Sequence, residues 1–265
     1  MQGYEQPTIT IESLCHDYVN ALTGESVHAL DHIDLTVQAH EFLCILGPSG
    51  CGKSTLLYII AGLVHQTDGD VKVRGKLVMG PGADRGMIFQ EYALLPWKTV
   101  RENVGIGLRI QKVPKGEREA RERHLIGLVG LGGFEDKYPH ELSGGMRQRV
   151  AVARTLACEP DVVLMDEPFA ALDAQTRITL QDELTRLWQK TGQCILFVTH
   201  SVDEAVALGT RVAVMTARPG RIKADMPIEL TAEERARREA SPRFLEYSRT
   251  LTQLVRKEVV GKVDQ

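Results

Sequence analysis

The stretch Gly47-Pro48-Ser49-Gly50-Cys51-Gly52-Lys53-Ser54-Thr55 places glycines, one lysine and two hydroxyls at the spacing G-x-x-x-x-G-K-[ST]. Glycines let a backbone curl around a phosphate without Cβ clashes. Successive N–H groups then point inward, and a helix starting at the lysine adds its positive end. Lys53 is expected to reach the β- and γ-phosphates of a nucleoside triphosphate, and the Ser54 hydroxyl to ligate Mg²⁺. A chance glycine-rich turn has no reason to sit between a buried strand and a helix, as this one does. A second run, Asp161 to Glu167, is an apolar strand ending in two acids. The Asp166 carboxylate suits Mg²⁺, and Glu167, one residue on, suits a base for the attacking water. A third, Ser143-Gly144-Gly145, is a Ser-Gly-Gly turn ahead of a helix and forms a second anion site. One chain with a single phosphate loop has little use for a second cradle. In a dimer, the turn of one copy closes over the nucleotide of the other.

These residues need elements to hold them. Phe42–Leu46 reads as a buried strand and Ser54–Ala61 as a helix stopped by Gly62. Short strands are expected at Val71–Val73, Met87–Phe89, Val162–Met165, Cys194–Val198 and Val212–Met215. Helices are expected at Glu117–Val129, Gly145–Ala157, Asp173–Lys190 and Val202–Leu208; the third sets Leu180, Leu184 and Leu187 on one stripe. The alternation predicts an α/β fold with a mainly parallel sheet. From Thr231 the chain is richly charged and reads as a solvated helical tail, 231–265.

Bulk properties exclude several classes. Of 265 residues, 43% are hydrophobic and 25% charged, which removes disordered and fibrous types. A net charge of -3 lacks the basic footprint of a nucleic-acid binder. Cys15, Cys44, Cys51, Cys158 and Cys194 form no C-x-x-C pair, which argues for buried reduced thiols and against a disulfide framework or a zinc site. Residues Met1 to Glu12 do not read as a signal peptide. The longest apolar run, Leu56–Val64, has nine residues, where a membrane span needs about 20.

Taken together, the motifs resemble those of the nucleotide-binding subunits of ABC transporters, over about Ile9 to Met226. Leu142-Ser143-Gly144-Gly145-Met146 is similar to the signature motif, with Met146 where the family more often has Gln. Gln90 corresponds to the Q-loop glutamine, which in the family senses Mg²⁺ and the attacking water. Ala171-Leu172-Asp173 corresponds to the D-loop, and His200 to the switch histidine that holds the γ-phosphate. Ser201 stands where an Asp is usual. Tyr18 matches the aromatic that stacks on adenine. The resemblance implies a RecA-like core, an antiparallel β subdomain and a helical signature subdomain at about 91–158, all within residues 1–230. It also implies an ATPase using ATP and Mg²⁺.

Phe89–Asn103, Gly80–Gly86 and Ala217–Ile222 look like the subunits that power import of nitrate, alkanesulfonates, taurine and related small anions. In such proteins the segment Glu91–Lys98 contacts a helix of the membrane subunit. Leu95 and Trp97 suit that contact, or equally a place in the core. The implied partners are a second copy in head-to-tail arrangement, a separate membrane permease and, indirectly, a substrate-binding protein. No nucleic acid is implied, and the implied location is the cytoplasmic face of the inner membrane. The alternatives are an importer or exporter ATPase for another substrate class, or a soluble ABC ATPase outside transport. The last fits poorly, because only 90 residues separate Lys53 from Ser143 and no heptad tract intervenes.

Overall fold

The computed structural model describes residues 6–170 and 172–260. They form two compact units, one of residues 6–82 with 191–260 and one of residues 83–170 with 172–190.

The first unit opens with a hairpin of long strands, β1 (Ile9–Val19) and β2 (Ser26–Val37). With β4 (Asp68–Val73) and β5 (Lys76–Leu77) they make an antiparallel sheet in the order β2-β1-β4-β5. The second sheet holds β3 (Phe42–Leu46), β8 (Cys194–Thr199), β9 (Arg211–Met215) and β10 (Ile222–Pro227). Strands β8 and β9 flank β3 in parallel, and β10 adds an antiparallel edge. Every side chain of β3 and β8 is buried, as expected of parallel strands covered on both faces. Helix α1 (Lys53–Ala61) ends where Gly62 takes a left-handed conformation at φ 75°, a glycine C-cap. Helices α7 (Val202–Leu208), α8 (Ala232–Arg237) and α9 (Pro242–Val260) complete this unit.

The charged tail is helical but not solvated all round. Phe244 and Leu251 of α9 are fully buried. The Arg235 guanidinium of α8 donates to the carbonyls of Val206 (2.8 Å), Ala207 (3.0 Å) and Ile228 (3.1 Å).

The second unit pairs β6 (Arg85–Ile88) with β7 (Val162–Asp166) in parallel. Around them run α2 (Val100–Val104), α3 (Ile106–Ile110), α4 (Lys115–Leu128), α5 (Gly144–Ala157) and α6 (Ala174–Thr191). Strand β6 starts and stops earlier than its apolar residues suggest, and Phe89 already lies outside it. Helix α2 begins at a capping box in which Thr99 and Glu102 satisfy each other's backbone amides. Next to it, the fully buried Asn103 side chain accepts from the Leu95 amide and donates to the carbonyls of Leu95, Lys98 and Thr99, at 2.9–3.1 Å. That one amide fixes the course of residues 95–99.

Candidate nucleotide-binding site

In the first unit, Leu46, the last residue of β3, pairs with Thr199, the last of β8. The chain therefore leaves both strands at one edge, with Gly47 following one and His200 the other. This is the carboxyl edge of the parallel strands, where open α/β sheets bind ligands.

Lys53 opens α1 and is 4% exposed. Its ammonium donates to the carbonyls of Gly47 and Pro48, both at 2.9 Å, and so draws the loop into a ring. Gly50 and Gly52 hold φ of 74° and 104°, the region glycine enters without strain. A Cβ at Gly52 would also lie 2.7 Å from Leu30 Cδ2 and 3.0 Å from the Ala29 carbonyl oxygen. Cys51 is buried beneath the loop, while Ser49 at its tip is exposed. Ser54 and Thr55 are half-buried on the first turn of α1. The Tyr18 hydroxyl lies 3.1 Å from Thr55 Oγ1, which seats the ring beside that turn. Tyr18 is 45% exposed and stands edge-on to the buried His16 at 4.5 Å, so part of its ring is open to a stacking partner.

His200 is exposed at the end of β8. Ser201 is the N-cap of α7, its Oγ accepting from the Glu204 amide at 3.3 Å. The buried Thr199 hydroxyl donates to Glu204 at 2.6 Å and accepts from the Ser201 amide at 2.9 Å. An aspartate serves as an N-cap equally well, so Ser201 keeps the function of the residue more usual there.

In the second unit, Ile88 of β6 pairs with Met165 of β7. Gln90 and Glu167 thus leave neighbouring strands at one edge, with Asp166 buried (3% exposed) at the last position of β7. Glu167 is half-buried and holds φ 42°, a left-handed conformation that is uncommon without glycine and clusters at functional sites.

Ser143 caps α5, accepting from the Met146 amide at 3.3 Å. The Met146 side chain plays no part in that bond, so Met in place of Gln leaves the turn intact. A Cβ at Gly145 would lie 2.9 Å from Thr176 Cγ2. The Asp173 carboxylate accepts from the Thr176 amide at 3.0 Å, and bonding to Thr176 holds it below the usual carboxylate range. Ala171, the first residue of the expected D-loop, lies outside the described residues.

Motif reading missed the residues that tie Gln90's loop to α5. Arg154 of α5 donates to the carbonyls of Ala93 (2.7 Å) and Tyr92 (3.0 Å). The Arg147 guanidinium lies over the Tyr92 ring, 5.8 Å from its centroid. Tyr92 and Ala93 both take positive φ without being glycines, so no sequence signal marks the bend.

In the first unit Ser54 offers a hydroxyl; in the second, Gln90 offers an amide oxygen and Asp166 a carboxylate, each a hard oxygen donor of the kind that suits Mg²⁺.

A family model described as ABC transporter matches residues 30–170. This chain belongs to the ABC transporter family. It is an ATPase of that family, with the family's α/β cassette fold. Among its relatives, the taurine import ATP-binding protein TauB of Rhizobium johnstonii is 48% identical over 229 residues, 84% of this chain and 87% of that protein. The nitrate import ATP-binding protein NrtD of Synechocystis sp. is 47% identical over 237 residues, 87% and 89% of the two chains. Among solved structures, a dimeric ATP-binding cassette in a post-hydrolysis state with ADP and Pi aligns at TM-score 0.73 and 30% identity, covering 84% of this chain and all of that one.

Proposed function

We propose that this ABC ATPase powers import of a small anion, such as a sulfonate, taurine or nitrate. It acts through a separate membrane permease supplied by a substrate-binding protein. It works as a head-to-tail dimer on the cytoplasmic face of the inner membrane. The observation that carries this reading is near-half identity to both a taurine-import and a nitrate-import ATP-binding protein over more than four-fifths of each chain. Trp97 adds support: it is 69% exposed, on a segment that Asn103 holds in shape, which suits a docking anchor rather than a core residue. Among the described residues no helix is long and apolar enough to cross a membrane.

The chemistry assigned to the chain follows from its side chains. Lys53 and the loop amides hold the triphosphate, and Tyr18 stacks on the base. Ser54, Asp166 and Gln90 would hold Mg²⁺, which would neutralise charge on the phosphate oxygens. Glu167 takes the proton of the water that attacks the γ-phosphorus. The bond from that phosphorus to the bridging oxygen breaks, and ADP departs with the oxygen's electron pair. His200 holds the γ-phosphoryl group, and Ser143, Gly144 and Gly145 of the second copy cap it. Catalysis of this kind is positioning and electrostatics.

The test is uptake of labelled taurine, alkanesulfonates and nitrate, with sugars as controls, in a strain deleted for this protein. Wild type should restore one anion, and Glu167→Gln should not. In the purified protein Glu167→Gln should keep ATP affinity while hydrolysis falls by about 10²–10⁴-fold, the usual share of a general base. Uptake unchanged for every anion would remove the cargo assignment. Undiminished hydrolysis in Glu167→Gln would remove the base.

A further inference from the structure

The β1–β2 hairpin carries a second cluster of chemically capable side chains that the ATPase reading does not use. Cys15, Asp31 and His32 each offer one ligand atom, all within 4.8 Å of one another. Cys15 Sγ lies 3.6 Å from His32 Nδ1, and Asp31 Oδ1 lies 2.5 Å from the same nitrogen. The His28 Nε2 atom is 3.5 Å from Asp31 Oδ1.

The backbone is built to make this meeting. Leu14 pairs with Ile33 and His16 with Leu30, so Cys15 alone on β1 opposes both Asp31 and His32 on β2. That is a bulge, a device that re-aims side chains beside functional sites. His32 sits in it at φ 47°, and its amide donates to Cys15 Sγ at 3.3 Å.

The outer contacts are those of a ligand set. His28 Nδ1 is held by Asp17 Oδ1 at 2.5 Å, which turns Nε2 toward Asp31. Asp31 Oδ2 accepts from Arg221 Nε at 2.7 Å, which leaves Oδ1 for the cluster. Histidines oriented by carboxylates and carboxylates held by hydrogen bonds are the usual surroundings of metal ligands. A nucleophilic Cys-His-Asp triad is a poor fit, because there the sulfur and the carboxylate bond opposite ring nitrogens. Here both approach Nδ1.

We propose that Cys15, Asp31 and His32 bind one divalent transition ion of the zinc class, with His28 orienting Asp31 from outside the ligand set and water completing the coordination. Thiolate, imidazole and carboxylate are the donors zinc takes. Tetrahedral bonds of about 2.0–2.3 Å set ligand atoms roughly 3.3–3.8 Å apart, which matches the Cys15–His32 separation of 3.6 Å, while the Asp31–His32 hydrogen bond of 2.5 Å must open by about 1 Å to admit the ion. The ion takes the place of the Cys15 thiol proton, which goes to solvent, and of the hydrogen between Asp31 and His32, the His32 ring then carrying its N–H at Nε2. The His32 side chain is 72% exposed, so the ion reaches the cluster from water. A search for C-x-x-C pairs cannot find this site, because its single cysteine and its histidine come from different strands.

The experiment uses untagged full-length protein, stripped with chelator and titrated with Co²⁺ and Zn²⁺ in excess Mg²⁺. Wild type should take up one equivalent and show a thiolate-to-cobalt charge-transfer band in the near ultraviolet. Cys15→Ser should lose the band, and His32→Gln, at an exposed position that folding tolerates, should weaken binding by at least about 100-fold. Asp17→Asn should weaken it about tenfold, the size of an outer-contact effect. Cys194→Ser, a buried thiol elsewhere, should change nothing. No charge-transfer band in wild type, or equal uptake by Cys15→Ser, overturns the site.

Discussion

Among single residues, Tyr18 makes two separable contacts. Its hydroxyl meets Thr55 Oγ1, and its ring rests on His16 with one part open. If stacking on the base is what it contributes, Tyr18→Ala should raise the ATP dissociation constant about tenfold or more, equivalent to about 1.4 kcal/mol. Tyr18→Phe keeps the ring and should shift it less than about threefold. A larger effect in Tyr18→Phe than this would assign the role to the hydroxyl instead. Ser201 separates structure from chemistry in the same way. Removing its cap in Ser201→Ala should cost about 1 kcal/mol of stability, and Ser201→Asp should restore it. Urea unfolding of the two variants measures both values. These residues sit beside Lys53, whose type follows directly from the phosphate chemistry, and His200, which is legible only through the resemblance to the family.

Between elements, Asn103 does what no motif announces. Four backbone groups of residues 95–99 converge on one buried amide. Asn103→Ala should cost about 2–3 kcal/mol, since lost partners of buried polar groups each cost about 1–3 kcal/mol. Amide hydrogen exchange should rise at residues 95–99 first. Protection unchanged there would mean the segment holds its course without Asn103. The same distinction explains what the sequence discloses. Strands β3, β7 and β8 and helices α1 and α5 lie within about a residue of their expected ends, because continuous apolar runs abut residues fixed by phosphate chemistry. The long strands β1 and β2 alternate only in pieces, such as Ile9–Glu12 and Ile33–Val37, because bulges interrupt their register three times. Helices α2 and α3 are five residues each, too short for a periodic stripe. Arg154 and Asn103 act on carbonyls, and a carbonyl belongs to every residue type, so the partner is invisible from sequence.

At the scale of the whole molecule, the tail shows how composition misleads. Its charge suggested a helix surrounded by water, yet its contacts are those of a structural element. Arg235 lies within the charged run, but its guanidinium covers the last carbonyls of α7 and that of Ile228. A cation there both satisfies orphan carbonyls and meets the negative end of the helix dipole. Burial among those carbonyls pushes the arginine below its ordinary value, the mark of a desolvated rather than a solvated side chain. Phe244 then fills the core from α9, and the Glu258 carboxylate accepts from the Ala217 amide at 3.0 Å and pairs with Lys223. Phe244→Ala should therefore lower stability by about 3–5 kcal/mol, the range for a buried phenylalanine. Arg235→Lys retains the charge but loses the fork that spans three carbonyls, and should still cost about 1–3 kcal/mol. Surface substitutions stay within about 0.5 kcal/mol. Urea unfolding followed by circular dichroism separates the two cases: losses inside the surface range for both variants would return the tail to a solvated appendage, and losses of the predicted size make it part of the unit that carries Lys53.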